Sequence, residues 1–307
     1  MAIAVKPNSK ISLNQRQYEA LTGYLFVLPT VLGFLIFTLG PILAALAFSF
    51  TKYDILSAPE FIGLNNYSAL LSDDRLIISL RNTVVFAISV VSLTIAFGLL
   101  LAVGLNQNPL LPPAVRNIFR SIYFFPILVA MIYVAMIWQF WFHTDLGVVN
   151  YYLGLLNIED IRWLSSSTWS LASVILVYFW KNVGFSMLIF LAGLQNISQD
   201  YYEAADIDGA NSVHKFFKIT VPLLSPVILF VMVINFINAL QEFDSMIVLT
   251  NGGPGDASRS IVLYIYEKAF QAFDMGYASA VSIGLFIIIM IFTLAQLSFS
   301  REWVHYE

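Results

Sequence analysis

Six runs of apolar residues separated by polar segments divide the chain, at roughly 21–50, 83–105, 119–142, 169–194, 223–249 and 277–299. Each is long enough to cross a bilayer as a helix, which takes about 20 predominantly apolar residues. The first exceeds that length and carries Pro29, Gly33, Gly40 and Pro41, so it is expected to tilt or bend and to end irregularly. The pattern predicts an all-α fold, a polytopic membrane helix bundle of about six transmembrane helices. One membrane domain spans 21–299, between a 1–20 N-terminal segment and a 300–307 C-terminal tail.

Composition agrees, with 59% hydrophobic and only 11% charged residues among 307, against about 25% charged in a soluble domain. A net charge of −4 gives no basic field for nucleic acid. The absence of cysteine excludes disulfides, thiolate nucleophiles and thiolate metal sites. Lys6, Lys10 and Arg16 precede the first run, but that run is about 30 residues long, well beyond the apolar region of a signal peptide, so it reads as a retained helix. His143, His214 and His305 lie outside the runs and without metalloprotease spacing, and no nucleophile elbow is present. Gly252-Gly-Pro-Gly255 is expected to be a turn ending a helix, because the chain has no G-x-x-x-x-G-K-[ST] phosphate loop. Catalysis and resident cofactors are therefore not expected.

Six spans place both termini on one side. With the N-terminus inside, the inner segments hold eight basic residues (Lys6, Lys10, Arg16, Arg116, Arg120, Lys215, Lys218 and Arg301), and the outer ones hold six (Lys52, Arg75, Arg81, Arg162, Arg259 and Lys268). The positive-inside bias is small, and it favours cytoplasmic termini.

Between the fourth and fifth runs, residues 195–222 form a mixed-charge segment with little to bury. The spacing predicts two short helices with a bend at Gly209. Ser198 caps the first, Asn211 or Ser212 caps the second, and Asp200 and Glu203 lie near the first helix's positive end. Ala204, Ala205 and Ala210 keep its surface small enough for close approach by another protein, and Phe216 and Phe217 are available to anchor it to the bundle. Read from these residues alone, a docking element and a plain connecting loop are both open.

Charged side chains inside the hydrocarbon are functional hypotheses by default, and the runs contain Lys181, Glu242 and Asp244. Asn235, Asn238 and Glu242 fall at i, i+3 and i+7, one helical face. Amides and a carboxylate beside Tyr178, Trp180 and Phe185 suit a sugar, whose hydroxyls need donors and acceptors while its C–H faces stack on aromatic rings. The same amides also suit hydrogen bonding between helices, and Lys181 can pair with Glu242. Asp244, nearer the outer end, is also placed to meet a binding protein.

Glu203-Ala204-Ala205, then Gly209, then Ile219 and Pro222 resembles the EAA motif of ATP-binding-cassette importer permeases, with Val221 where leucine is usual. Phe61-Ile-Gly-Leu-Asn-Asn-Tyr67, Arg81-Asn-Thr83, Leu249-Thr-Asn-Gly-Gly-Pro254 and Met275-Gly-Tyr-Ala-Ser279 resemble, in the same order, the carbohydrate-uptake branch of that family. The Gly-Gly-Pro element is similar to that of the maltose- and glycerol-phosphate-type subunit. The resemblance implies the type I importer fold in a bacterial inner membrane. It implies a second, homologous permease as partner, a pair of ATPase subunits that bind ATP and Mg, and a periplasmic or lipid-anchored solute-binding protein.

By the same resemblance, residues 195–222 are a cytoplasmic coupling loop in which Glu203, Ala204, Ala205, Asp208, Gly209 and Ala210 meet the ATPase. The solute, a sugar, oligosaccharide or polyol, falls at Tyr178, Lys181, Asn182, Phe185, Asn235, Asn238 and Glu242. The competing class is a secondary transporter or channel for a small polar solute, which would also hold charges in the membrane. Against it stands the lack of a paired repeat with broken helices.

Overall fold

The computed structural model of the chain describes residues 14–106 and 112–304; Lys6, Lys10 and His305 lie outside them. Among the described residues, four helices are long and apolar enough to cross a membrane: Gln15–Phe48, Asp74–Leu105, Ser170–Gln195 and Met275–Trp303. Two bent pairs, Pro113–Leu128 with Met131–Trp141 and Ser212–Leu223 with Ser225–Leu240, bring the number to six when each is one span.

The first crossing runs as α1 (Gln15–Phe34), one π-helical turn, and α2 (Gly40–Phe48), and buries none of its own residues in this chain. As the pattern of Pro41 and Gly40 suggested, the segment beyond it is irregular. It forms a two-residue ribbon, β1 (Thr51–Lys52) against β2 (Glu60–Phe61), and then α3 (Asn65–Leu70). α4 (Asp74–Leu105) starts where the Asp73 carboxylate accepts the Arg75 and Leu76 amides, and its 32 residues reach about 48 Å at 1.5 Å per residue.

The third apolar run is not one helix, contrary to the expectation for 119–142. α5 (Pro113–Phe124) passes through a 3₁₀ turn to Leu128, and α6 (Met131–Trp141) leaves at 102°. Pro126 removes one backbone donor there, and Val129 and Ala130 are extended, so the helical ladder cannot continue. The short α7 (Val148–Gly154) leads to α8 (Ser170–Gln195), then come α9 (Gln199–Ile207), α10 (Ser212–Lys215) and α11 (Val221–Leu223).

The fifth run breaks as well. α12 (Ser225–Leu240) stops, and α13 (Asp244–Leu249) starts anew after the Glu242 carboxylate accepts both the amide and hydroxyl of Ser245 at 2.7 and 2.6 Å. The Gly252–Gly255 segment is indeed the turn that follows α13. α14 (Ile261–Tyr266) and α15 (Met275–Trp303) complete the chain.

α8 is the central post. It packs along α4, where Gly98 meets Ser186, and also receives the broken third span. A Cβ on Gly184 would stand 1.9 Å from the Tyr123 carbonyl oxygen, so only glycine lets the two backbones touch here. Small residues at membrane helix crossings serve this purpose, because packing rather than hydrophobicity drives association in lipid. One core cluster, including Phe86, Val90, Val177 and Met246, fills the half of the bundle away from α9 and α10. A second, including Leu99, Met187, Phe190 and Leu224, fills the half next to them.

At the end opposite α9 and α10, polar side chains tie distant segments together. The Asp73 carboxylate accepts the hydroxyls of Tyr264 and Tyr277, the latter at 2.5 Å, and Lys268 lies over both rings. Asp256 pairs with Arg75 and Arg259, and Arg259 also pairs with Glu267. Asn82 donates to the Asp256 and Arg259 carbonyls, and Thr83 accepts the Ile261 amide. Asn66 donates to the Ser49 and Thr51 carbonyls.

Burial alone would raise the pKa of both Asp73 and Asp256. The tyrosine hydroxyls and Lys268 outweigh it at Asp73, and the two arginines do so at Asp256, so both carboxyls fall below their ordinary 3.8. A depressed native pKa contributes stability that is complete above the unfolded value and is lost as pH falls through the native one. The unfolding midpoint of the detergent-solubilised chain should therefore be insensitive to these groups between pH 5 and pH 7, and fall below about pH 4. Asp73→Asn should lower the midpoint at pH 7 and flatten the acid limb; an unchanged limb would contradict the assignment. Gly184→Ala should destabilise the bundle by on the order of 3 kcal/mol, read as lost expression or a lowered midpoint, while Gly104→Ala, where nothing lies within 4 Å, should not.

Candidate solute face and coupling surface

The residues predicted to form a solute site lie on α8 and α12, which pack side by side, but the structure gives them different roles. Tyr178 is buried with its ring edge against Phe86 at 5.2 Å. Asn182 donates to the Tyr178 carbonyl one turn back, and Phe185 is half-buried. Asn235 is 5% exposed and donates to the Ser186 hydroxyl at 3.1 Å, so it joins α12 to α8. Asn238, one turn on, is exposed. The helical stripe thus divides into an internal bond at Asn235, an open amide at Asn238, and a half-buried carboxylate at Glu242 held by Ser245.

Lys181 does not pair with Glu242. Its Nζ reaches the Ile127 carbonyl at 3.4 Å, inside the break of the third span, and the ion pairs among the described residues lie elsewhere. A break inside hydrocarbon frees carbonyls that water cannot satisfy, and Lys181 answers one of them. Lys181 and Gly184, at i and i+3 on α8, therefore serve the same junction. Among the described residues, no group of three or more His, Asp or Glu is arranged to hold a metal ion.

At the other end, α9 and α10 form the two-helix element expected from the sequence. The Ser198 hydroxyl accepts the Asp200 amide at 3.3 Å, and the Asn211 side chain accepts the His214 amide at 2.8 Å. Gly209 turns the chain at φ +75° in open space. That conformation, rather than crowding, explains the glycine. Lys215 pairs with Asp206 at 2.7 Å across the turn, and the Tyr202 and Thr220 hydroxyls meet at 3.0 Å, so the element is closed on itself. Phe216 packs into the bundle as expected, but Phe217 is exposed and lies edge-on to the Phe216 ring. Glu203 and Ala204 face outward, and Ala205, Asp208, Gly209 and Ala210 line a shallow cavity with His214 and Lys218.

Ser245 and Ser186 were missed by sequence reasoning. Ser245, three residues from Glu242, carries a local capping signal, whereas Ser186 lies 49 positions from Asn235 and carries none. The broken third span places irregular backbone at membrane depth, a feature that secondary transporters also have, although it does not supply a paired repeat.

The comparisons with known proteins decide between the classes. The family model for the binding-protein-dependent transport system inner membrane component matches residues 94–304. A probable ABC transporter permease protein, YesP, of Bacillus subtilis (strain 168) is 40% identical over 94% of this chain and 93% of its own. The trehalose/maltose transport system permease protein MalF of Thermococcus litoralis is 36% identical over 92% and 95%. The lactose transport system permease protein LacF of Rhizobium radiobacter is 34% identical over 94% and 96%.

Among solved structures, a bacterial ABC transporter involved in the import of the acidic polysaccharide alginate contains a chain that superposes with a TM-score of 0.83. The match covers 94% of this chain and 99% of that one at 24% identity, which establishes the fold. The chain has the fold of an importer permease and belongs to the family of binding-protein-dependent transport system inner membrane components.

Proposed function

We propose that this chain is one of two permease subunits of an ATP-driven importer for a carbohydrate or polyol, lying in a bacterial inner membrane with both termini in the cytoplasm. The observation that carries the reading is the closed two-helix element of α9 and α10. It sits at the end of the same two helices, α8 and α12, that bear the polar face. ATP hydrolysis belongs to separate ATPase subunits with their own ATP and Mg, because the sequence contains no phosphate-binding loop. A solute-binding protein delivers the solute to the opposite end. The relatives' names, trehalose/maltose and lactose transport among them, support the carbohydrate class.

In this reading Glu203, Ala204, Ala205, Asp208, Gly209 and Ala210 meet the ATPase. The solute contacts Asn182, Phe185, Asn238 and Glu242 at the junction with the partner permease, and Tyr178, Lys181 and Asn235 form the wall behind them. Exposure favours Asn238 as the contacting amide, and hydrogen bonding inside the chain accounts for Asn235.

Gly209→Val forces a β-branched residue into a left-handed conformation, at about 1–3 kcal/mol, and should abolish coupling, while Gly209→Asn, which tolerates that conformation, should retain it. Glu203→Ala should lower solute-stimulated ATPase activity of the reconstituted complex roughly 10-fold, as for one lost charge-assisted contact. Wild-type stimulation and uptake in both Gly209→Val and Glu203→Ala would reduce the loop to a connector. Lys181→Met should destabilise the assembled complex by about 1 kcal/mol, and adding Glu242→Gln should not restore it. Recovery in the double variant would instead make the two residues a charge pair.

A further inference from the structure

The end of the bundle that the proposed topology places outside carries a polar rim that no role above uses. Two adjoining cavities, of about 590 and 650 Å³, share Thr144 and Asp145 as lining residues. Both fall in the size range of small-molecule sites, about 300–1,000 Å³. The first lies between the end of α6 (Gln139, Phe140), the loop through His143 and Asp145, Ser165, and Thr250 after α13. The second continues along Tyr151 and Tyr152 of α7 to Asp160.

The groups around this rim are complementary to hydroxyls. Gln139 spends its amide N–H on the Val248 carbonyl, which fixes the side chain and leaves its oxygen as an acceptor. His143 Nδ1 accepts the Asp145 and Leu146 amides, both at 3.3 Å, so its proton sits on Nε2 as a donor. Among the described residues, the Asp145 carboxylate and the Thr144 and Ser165 hydroxyls have no side-chain hydrogen-bond partner. Phe140 and Tyr151 are more than half exposed and offer ring faces beside these groups.

The wall is rigid. Asn150, 3% exposed, donates to the Thr144 and Ile161 carbonyls and accepts the Ile161 amide and the Trp163 indole N–H. Every polar position of that amide is used, so the loop bearing Thr144 and Asp145 is fixed before any ligand arrives. The two acidic lining residues, Asp145 and Asp160, have no lysine or arginine among the other lining residues. An anionic solute would meet like charge there.

We propose that this rim is a second solute site: an outer vestibule for an uncharged, polyhydroxylated ligand of saccharide type, occupied before the solute reaches the α8–α12 face. The proposal rests on the importer reading above. Donors and acceptors fixed around exposed rings are what such a ligand requires, since its hydroxyls exchange hydrogen bonds with water for those of the site while its C–H faces cover the aromatics.

The chain has no cysteine, so single reporters can be introduced. Ser165→Cys, with Thr144→Cys as a second reporter, and Gln241→Cys, exposed beside the α8–α12 face, are each assembled with cysteine-free partner subunits in lipid nanodiscs. Labelling by a hydrophilic maleimide is followed against rising concentrations of trehalose, maltose, lactose and arabinotriose, scored with the sugar that stimulates the ATPase of the same preparation. Occupancy at ten times Kd should slow labelling at Ser165→Cys about ten-fold, and Asp145→Asn should raise the concentration required there without changing that at Gln241→Cys. A glucuronate-containing disaccharide should give no protection. Protection at Gln241→Cys with unchanged labelling at both rim reporters overturns the vestibule and leaves the importer reading standing. Absence of protection at every position, or of any stimulating sugar, overturns both.

Discussion

A bilayer offers no water to a freed backbone carbonyl, yet this chain breaks one of its spanning helices between Phe125 and Ala130. The rest of the bundle is arranged around making that break tolerable. Pro126 needs no partner for a missing N–H, Lys181 reaches the Ile127 carbonyl, and Gly184 opens a notch in α8 into which the Tyr123 backbone fits. Each element alone would be unfavourable in a membrane: a proline within an apolar run, a buried lysine, a glycine within a helix. Together they satisfy one another, which is why a charge that the sequence marks as functional is bound to the backbone.

The far end of the molecule is held by a different kind of interaction. Four stretches that mark the family resemblance, around Asn66, Asn82, Gly252 and Tyr277, lie far apart in sequence and meet within one hydrogen-bonded frame. Gly276 belongs to it, since a Cβ there would lie 2.0 Å from the Thr51 carbonyl oxygen. The motifs thus specify a frame that holds the start of α4, the turn after α13 and the start of α15 in register. Asp73 is its centre, as the N-cap of α4 and the acceptor for two tyrosines of other helices.

The four continuous spans, the two-helix element with its caps and left-handed glycine, and the turn at Gly252–Gly255 were legible in the sequence because their causes are local: run length, Ser198 and Asn211, and the φ that glycine permits. What was illegible depends on which helix lies opposite. The 119–142 run contains enough apolar residues for one helix; Pro126 marks where the ladder can break, but the 102° turn and its seat against α8 depend on the opposing helix. Asn235 and Asn238 are equivalent by periodicity and differ because Ser186 stands across from one of them. Lys181 and Glu242 looked like a charge pair because they are the nearest opposite charges by position along neighbouring spans, yet each has an uncharged partner of its own.

These assignments bear on how a movement at α9 and α10 can reach the polar face. Both helices of that element continue, through Ile197 and through the π turn at Phe216–Thr220, into the second core cluster, where Phe190 and Leu194 of α8 pack with Leu224, just before α12, and Val231 of α12. Close-packed interiors transmit displacement rather than absorbing it, so in the importer reading a push on the element is passed to α8 and α12 together. The Asn235–Ser186 bond keeps them together at mid-height. Above it, α12 ends and the Glu242–Ser245 bonds begin a new helix, which makes Gln241–Phe243 the place where the pair can change direction. Glu242 lies in that joint and Asn238 just before it. In the importer reading, a polar face built astride this joint, between the fixed frame and the packed pair, is where a displacement of the pair would reshape the solute site.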